Sequence, residues 1–311
     1  MREGHVQQRR LAVPRTELAR RAARLAHVLT LDPGHDAVDD AVDAVAREAW
    51  WPIAPLLGDS VDGRLALVLD PVLQRVPFAL LPWDTSGGAR VVDRAAVALC
   101  PSIRACAADG EGRSAVIRVA ALHAGQGGDG LARLPEARVE AERIGRRYAG
   151  AVVDVATEDA LTTALATDDL VHFAGHAVPD ERYPGRSQLL LASPGGDGVR
   201  VPLARLLAPG VRAWLVVLSA CRTSRAEARR GDGGAGVAGE FLRSGVSQVI
   251  ASQWDVRDDL AADAMDDVHE ALGAGAAPWD AVRLAQQRLR ARGVAARDWA
   301  GYVAYTTPAR R

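Results

Sequence analysis

Residues 169–176 read Asp-Leu-Val-His-Phe-Ala-Gly-His, and residues 213–223 read Ala-Trp-Leu-Val-Val-Leu-Ser-Ala-Cys-Arg-Thr. Each stretch carries a nearly continuous apolar run, interrupted in the first only by His172, and ends in small residues that lead to a reactive side chain, His176 in the first and Cys221 in the second. Apolar runs of this length are the signature of strands buried on both faces, as in a parallel sheet. The residues between them hold an edge-like strand at 189–192 and a short helical pattern at 202–207, the content of a crossover between two parallel strands. Such sheets carry their chemistry at the carboxyl ends of the strands. A thiol and an imidazole would then face one another across a cleft, the pairing that nucleophilic cysteine catalysis needs.

The same grammar extends in both directions. Short apolar runs at 65–69, 97–100, 116–122, 151–155 and 248–252 alternate with helical patterns at 136–148, 159–166, 236–244, 258–272 and 279–292. Strands alternating with helices predict an α/β fold, a mostly parallel sheet with helices on both faces. Ahead of it, Leu18, Ala22, Leu25 and Leu29 recur at helical spacing, as do Val38, Val42, Ala46 and Trp50, which predicts two N-terminal amphipathic helices. We divide the chain into a helical segment at 1–57, a small subdomain at 58–112 and a core at 113–311.

Composition removes several function classes. The 311 residues carry 38 cations and 39 anions, a net charge of −1, so no basic field draws in nucleic acid. Every cation is an arginine, which excludes a Schiff-base lysine and the lysine of a Walker A loop. Cys100, Cys106 and Cys221 are too few and odd in number for a disulfide scaffold, which points to a reducing compartment. The longest stretch free of charge, Ser244 to Trp254, is far short of the roughly 20 apolar residues of a membrane span. No apolar segment follows the N-terminal arginines as in a secretory signal. The sequence therefore reads as cytoplasmic, with no membrane and no nucleic-acid partner.

Taken together, His172 to His176 (His-Phe-Ala-Gly-His), Leu218 to Thr223 (Leu-Ser-Ala-Cys-Arg-Thr) and Ile250 to Asp258 (Ile-Ala-Ser-Gln-Trp-Asp-Val-Arg-Asp) resemble the CHAT peptidases, caspase-like and separase-like cysteine proteases. Residues 69–81, 134–144 and 299–303 extend the likeness in the same order, from roughly residue 45 to the end. The resemblance implies a caspase-like three-layer α/β/α sandwich preceded by N-terminal helices, and a cysteine endopeptidase that uses neither metal nor organic cofactor. It makes Cys221 the nucleophile and His176 its partner, with the backbone N–H groups of Ala177 and Cys221 as the oxyanion hole. Ala177 and Ser224 stand where the family often has glycine. Its separase branch further implies that Asp255 and Asp258 recognise an arginine before the scissile bond, although Asp258 could equally cap the helix that begins there. Partners implied are a protein or peptide substrate and an activating or repeat-domain protein, in a bacterial defence or signalling setting. The arginine-rich and glycine-rich loop at 225–236 is a possible self-cleavage site.

Other readings of the same residues are weaker. Gly125, Gly127 and Gly130 form the outline of a dinucleotide fingerprint after the run 116–122, with Asp154 beyond it, but 131–135 intervene before any helix can open. The His172 and His176 spacing lacks the helix and the glutamate of a zinc site. His172 is expected to be structural, pointing the same way as His176 but lower in the sheet. Cys100 and Cys106 read as small core hydrophobes. A caspase-like scaffold that binds peptide without cutting it is the alternative function, and the presence of both Cys221 and His176 argues against it.

Overall fold

Along each central strand, successive side chains enter two different cores. Val119, Ala121, Leu170, Leu215, Val217 and Ile250 fill one, whereas Ala120, Leu122, Val171, Phe173, Val216, Leu218 and Val249 fill the other. This two-residue period is what a sheet covered on both faces requires. In the computed structural model, residues 7–31, 35–57, 63–106, 118–128, 130–180, 182–193, 195–208, 210–220 and 236–307 are described.

Eleven strands occur among the described residues: β1 (Gly63–Leu67), β2 (Ala95–Leu99), β3 (Val119–His123), β4 (Val152–Val155), β5 (Leu170–Ala174), β6 (His176–Val178), β7 (Gln188–Ala192), β8 (Gly198–Pro202), β9 (Leu215–Ser219), β10 (Gln248–Ser252) and β11 (Tyr302–Thr306). Eight form one sheet in the order β1-β2-β11-β10-β9-β5-β3-β4. Every neighbouring pair in it is parallel except β10 with β11. The fold class inferred from the sequence is therefore the observed one, a mixed α/β fold built on a mostly parallel sheet.

The helices are α1 (Arg15–Leu31), α2 (His35–Val45), α3 (Val91–Arg94), α4 (Ile103–Cys106), α5 (Glu136–Arg147), α6 (Glu158–Thr167), α7 (Leu203–Leu207), α8 (Gly236–Ser244), α9 (Asp258–Gly273), α10 (Pro278–Ala291) and α11 (Ala296–Trp299). Side chains of α5, α9 and α10 join the first core, and those of α6, α7 and α8 join the second. Each fully buried Leu or Phe in these cores contributes about 1.5–3 kcal/mol relative to exposure. The N-terminal helices pack as their spacing predicts: α1 buries Leu18, Ala22, Leu25 and Leu29. The second helix is shorter than the expected 37–50, because α2 passes into a π-helical turn at Ala46–Trp50. That turn seats the Trp50 ring against Phe78 and Trp83, and the indole N–H donates to the Trp83 carbonyl.

The crossover between β5 and β9 is richer than the sequence suggested. Where one edge-like strand was expected, β6, β7 and β8 form a separate antiparallel sheet. β1 and β2 continue the large sheet through β11. The chain passes from β3 out to β4, then returns to the other side of β3 as β5 and continues to β9. The loops after β3 and β5 thus diverge, and a crevice opens outside the carboxyl ends of these strands.

Candidate active site

Four strand ends converge on that crevice. The cleft is lined by Leu134, Ala137 and Glu140 after β3, Ala174 and Gly175 after β5, Ser219 and Ala220 after β9, and Ser252, Val256 and Asp258 after β10. It is a shallow cleft open to solvent. Cys221, the proposed nucleophile, lies outside the described residues, as does the loop 222–235. Its immediate predecessors are fixed: the Ser252 hydroxyl donates to the Ala220 carbonyl at 2.7 Å, and the Gly175 N–H donates to the Ser219 carbonyl at 3.1 Å.

The chain leaves the large sheet at Gly175, so His172 and His176 belong to different sheets and do not share one direction as the strand pattern implied. His176 begins β6, is buried, and its Nε2 lies 2.7 Å from the Ala132 carbonyl. A carbonyl oxygen only accepts, so the proton of the neutral ring sits on Nε2 and the lone pair on Nδ1. Ala177 follows in the same strand, opposite Leu189.

The loop that supplies the Ala132 carbonyl is the glycine-rich stretch after β3, and it folds on itself rather than opening a phosphate cradle. The Leu134 N–H donates to the Gly125 carbonyl at 2.9 Å, and Gly128 and Leu131 exchange hydrogen bonds at 3.1 and 2.9 Å. A β-carbon on Gly125 would stand 2.4 Å from the Leu134 carbonyl oxygen, and one on Gly127 would stand 2.7 Å from that of Leu131. These glycines are needed for close approach of the protein's own backbone. Asp154 lies on β4, at the exposed sheet edge.

Asp258 is the first residue of α9, and the N-cap position is Arg257. Its carboxylate does not cap its own helix; it accepts from the Glu136 N–H at 3.2 Å, at the start of α5. Burial holds its carboxyl above the ordinary aspartate range, the Glu136 hydrogen bond opposes this, and the charge of Glu140 adds to the upward shift. Asp255 is half-buried and is not among the residues lining the cleft.

Beneath the cleft runs a buried polar chain that the sequence reading missed apart from His172. His172 Nε2 stands 2.8 Å from Glu140 Oε1. His269 Nε2 stands 3.1 Å from His172 Nδ1, and the Tyr148 hydroxyl stands 3.0 Å from His269 Nδ1. Burial, then repulsion from His172 and Arg147, pushes the His269 pKa well below the usual imidazole value. Burial pushes the Tyr148 phenol up. The signal for Glu140 was present: α5 buries Ala137, Glu140, Ala141 and Ile144, so a glutamate occupies a core position of an amphipathic helix.

The comparisons with known proteins agree with this architecture. The CHAT domain family model matches residues 40–307, and the chain belongs to that family. Among solved structures, separase from Saccharomyces cerevisiae, in a separase–securin complex, matches with 15% identity and a TM-score of 0.52, covering 80% of this chain and 16% of that chain. The Arg-specific cysteine proteinase gingipain R matches with 12% identity and a TM-score of 0.49, covering 93% and 74%. A complex of the pro- and mature domains of RgpB from Porphyromonas gingivalis matches with 12% identity and a TM-score of 0.47, covering 95% and 77%. The chain thus spans about a sixth of the separase chain it resembles. No curated protein matches it in sequence. No helix among the described residues is long and apolar enough to cross a membrane.

Proposed function

We infer that this chain is an endopeptidase working through Cys221 and His176, with arginine as the residue before the scissile bond. The observation that carries the reading is His176 at the start of β6, directly after Gly175 of the crevice, its Nε2 committed to Ala132 and its Nδ1 lone pair left for a thiol. Cys221 directly follows Ala220, whose carbonyl is held by Ser252.

Cys221 gives its thiol proton to His176 Nδ1 and its sulfur attacks the scissile carbonyl carbon, forming a C–S bond as the carbonyl electron pair moves onto oxygen. N–H groups of Ala177 and Cys221 receive that oxyanion. Collapse breaks the C–N bond, and the imidazole delivers a proton to the departing amine. Water then attacks the thioester, releasing the acid and restoring the thiol. The Ala132 carbonyl accepts from Nε2–H throughout and so stabilises the charged imidazolium that forms in between. Asp258 supplies the cleft with negative charge suited to arginine, and Asp255 is a further candidate for that contact. An upstream partner, in a bacterial defence or signalling system, would control the activity.

The test is hydrolysis of fluorogenic peptides bearing arginine, lysine, leucine or aspartate before the leaving group. Wild type should prefer arginine, and Cys221→Ala should cleave none. Equal cleavage by wild type and Cys221→Ala would overturn the assignment.

A further inference from the structure

Glu140 is 2% exposed, yet it lines the cleft. A glutamate so deeply buried needs compensation for lost hydration, and its surroundings supply only part of it. Its Oε1 stands 2.8 Å from His172 Nε2, but the two are not aligned, and neither atom gains a hydrogen bond among the described residues. His172 is itself held from behind. The Tyr148 hydroxyl donates to the His269 carbonyl at 3.2 Å and stands 3.0 Å from His269 Nδ1, and His269 Nε2 stands 3.1 Å from His172 Nδ1, so the chain fixes the His172 ring against Glu140. Burial favours a neutral His269, so the chain holds the His172 ring in place without bringing a full positive charge from His269.

The second acid of the cleft stands one helical turn away. Asp258 is docked on the N–H of Glu136, four residues before Glu140, a rise of about 6 Å along α5. The two carboxylates feel one another, since the charge of Glu140 helps to hold the Asp258 carboxyl above its ordinary range. Neither has an arginine partner among the ion pairs of the described residues, although the chain's cations are all arginines.

We propose that Glu140 is a specificity-determining residue: with Asp258 it forms a two-carboxylate seat for one guanidinium of the substrate, and the His172, His269 and Tyr148 chain positions it. A guanidinium carries five donors on a planar fork and can serve two carboxylates on different edges at once, which a lysine ammonium does less well. The seat favours arginine over lysine and excludes acidic residues. This rests on the peptidase reading above for its substrate but not for its test.

The experiment uses the full chain carrying Cys221→Ala and measures binding of a tetrapeptide ending in arginine amide, and of its neutral twin ending in citrulline amide, by calorimetry. The arginine peptide should bind at least about tenfold more tightly than the citrulline peptide, and Glu140→Gln should erase that difference. Asp258→Asn, which keeps an oxygen for the Glu136 N–H, should weaken the preference on its own. If the Gln variant does not fold, the ¹³C carboxyl resonance of Glu140 in the parent protein gives the same answer, shifting with the arginine peptide and not with the citrulline one. An unchanged arginine preference in folded Glu140→Gln would overturn the role of Glu140 and leave arginine specificity standing. Equal binding of both peptides to the parent would overturn the seat altogether, while labelling of wild-type Cys221 by an uncharged electrophilic peptide would still uphold the peptidase.

Discussion

The Nε2 of His176 and the carbonyl oxygen of Ala132 meet at 2.7 Å, across 44 positions of sequence. The contact fixes the ring's tautomer and its rotation, and the glycines after β3 make it possible by letting the 131–134 segment fold against 125–128. Gly127→Ala would drive a β-carbon to within 2.7 Å of the Leu131 carbonyl and move the neighbouring Ala132. Displacing a catalytic group by about 1 Å costs on the order of 10²-fold in rate. Steady-state kinetics should therefore show kcat reduced by about that factor with KM little changed.

Ser252 should matter in a similar way from the other side. Its hydroxyl donates to the Ala220 carbonyl, next to Cys221. Ser252→Ala removes this hydrogen bond, for about 0.5–1.5 kcal/mol of stability in denaturant titrations. The kcat should fall more than the KM rises, since the substrate seat at Asp258 is untouched.

The buried His269 makes stability depend on pH. Its native pKa lies well below that of an exposed histidine, with burial as the main cause. The unfolded chain therefore binds more protons near and below about pH 6.5, and stability falls as pH drops through that value toward the depressed native one. Chemical denaturation between pH 8 and pH 5 should show full stability at the upper end and a loss of up to about 1.4 kcal/mol per pH unit from this group below pH 6.5. His269→Gln should be less stable at pH 8 and should show a flatter dependence.

Asp258 has the opposite consequence. Its native carboxyl sits above the ordinary aspartate range because it is buried and near Glu140. The native state thus holds this proton more tightly than the unfolded chain does. Stability is highest below about pH 3.9 for this group and declines as pH rises from there through the raised native value. Asp258→Asn should raise the Tm of the ligand-free protein at pH 7 and leave it unchanged at pH 3.5. A stabilised but less selective variant would be the expected signature of a residue kept for recognition.

Much of this was legible in the residues alone, for definable reasons. The runs at 170–173 and 248–252 are mostly apolar because both faces are covered, so strands β5 and β10 fall where the pattern placed them. The core spacing of α1 was read correctly for the same reason. β6 and β8 escaped because they are short and mixed in polarity, stabilised by pairing with β7 rather than by an apolar face of their own. Of the two readings open for Asp258, arginine recognition and a cap for its own helix, the cap is not formed, because the carboxylate instead receives the first N–H of α5, 122 residues away, which sequence proximity hides. Tyr148 and His269 lie 121 positions apart and share no motif; only the packing of α5 on α9 brings them together. The carbonyl of Ala132 has no sequence signature, because any residue supplies a backbone oxygen.

The central claim is that Cys221 is a nucleophile made reactive by His176. An uncharged peptide bearing a thiol-reactive electrophile at the scissile position, followed by peptide mass spectrometry, tests it most directly. The account predicts one adduct, on Cys221, lost when His176→Ala is used and absent from Cys100, whose thiol is buried and pushed up in pKa. Labelling of Cys100 or Cys106 at the same rate as Cys221, or labelling of Cys221 undiminished by His176→Ala, would contradict it.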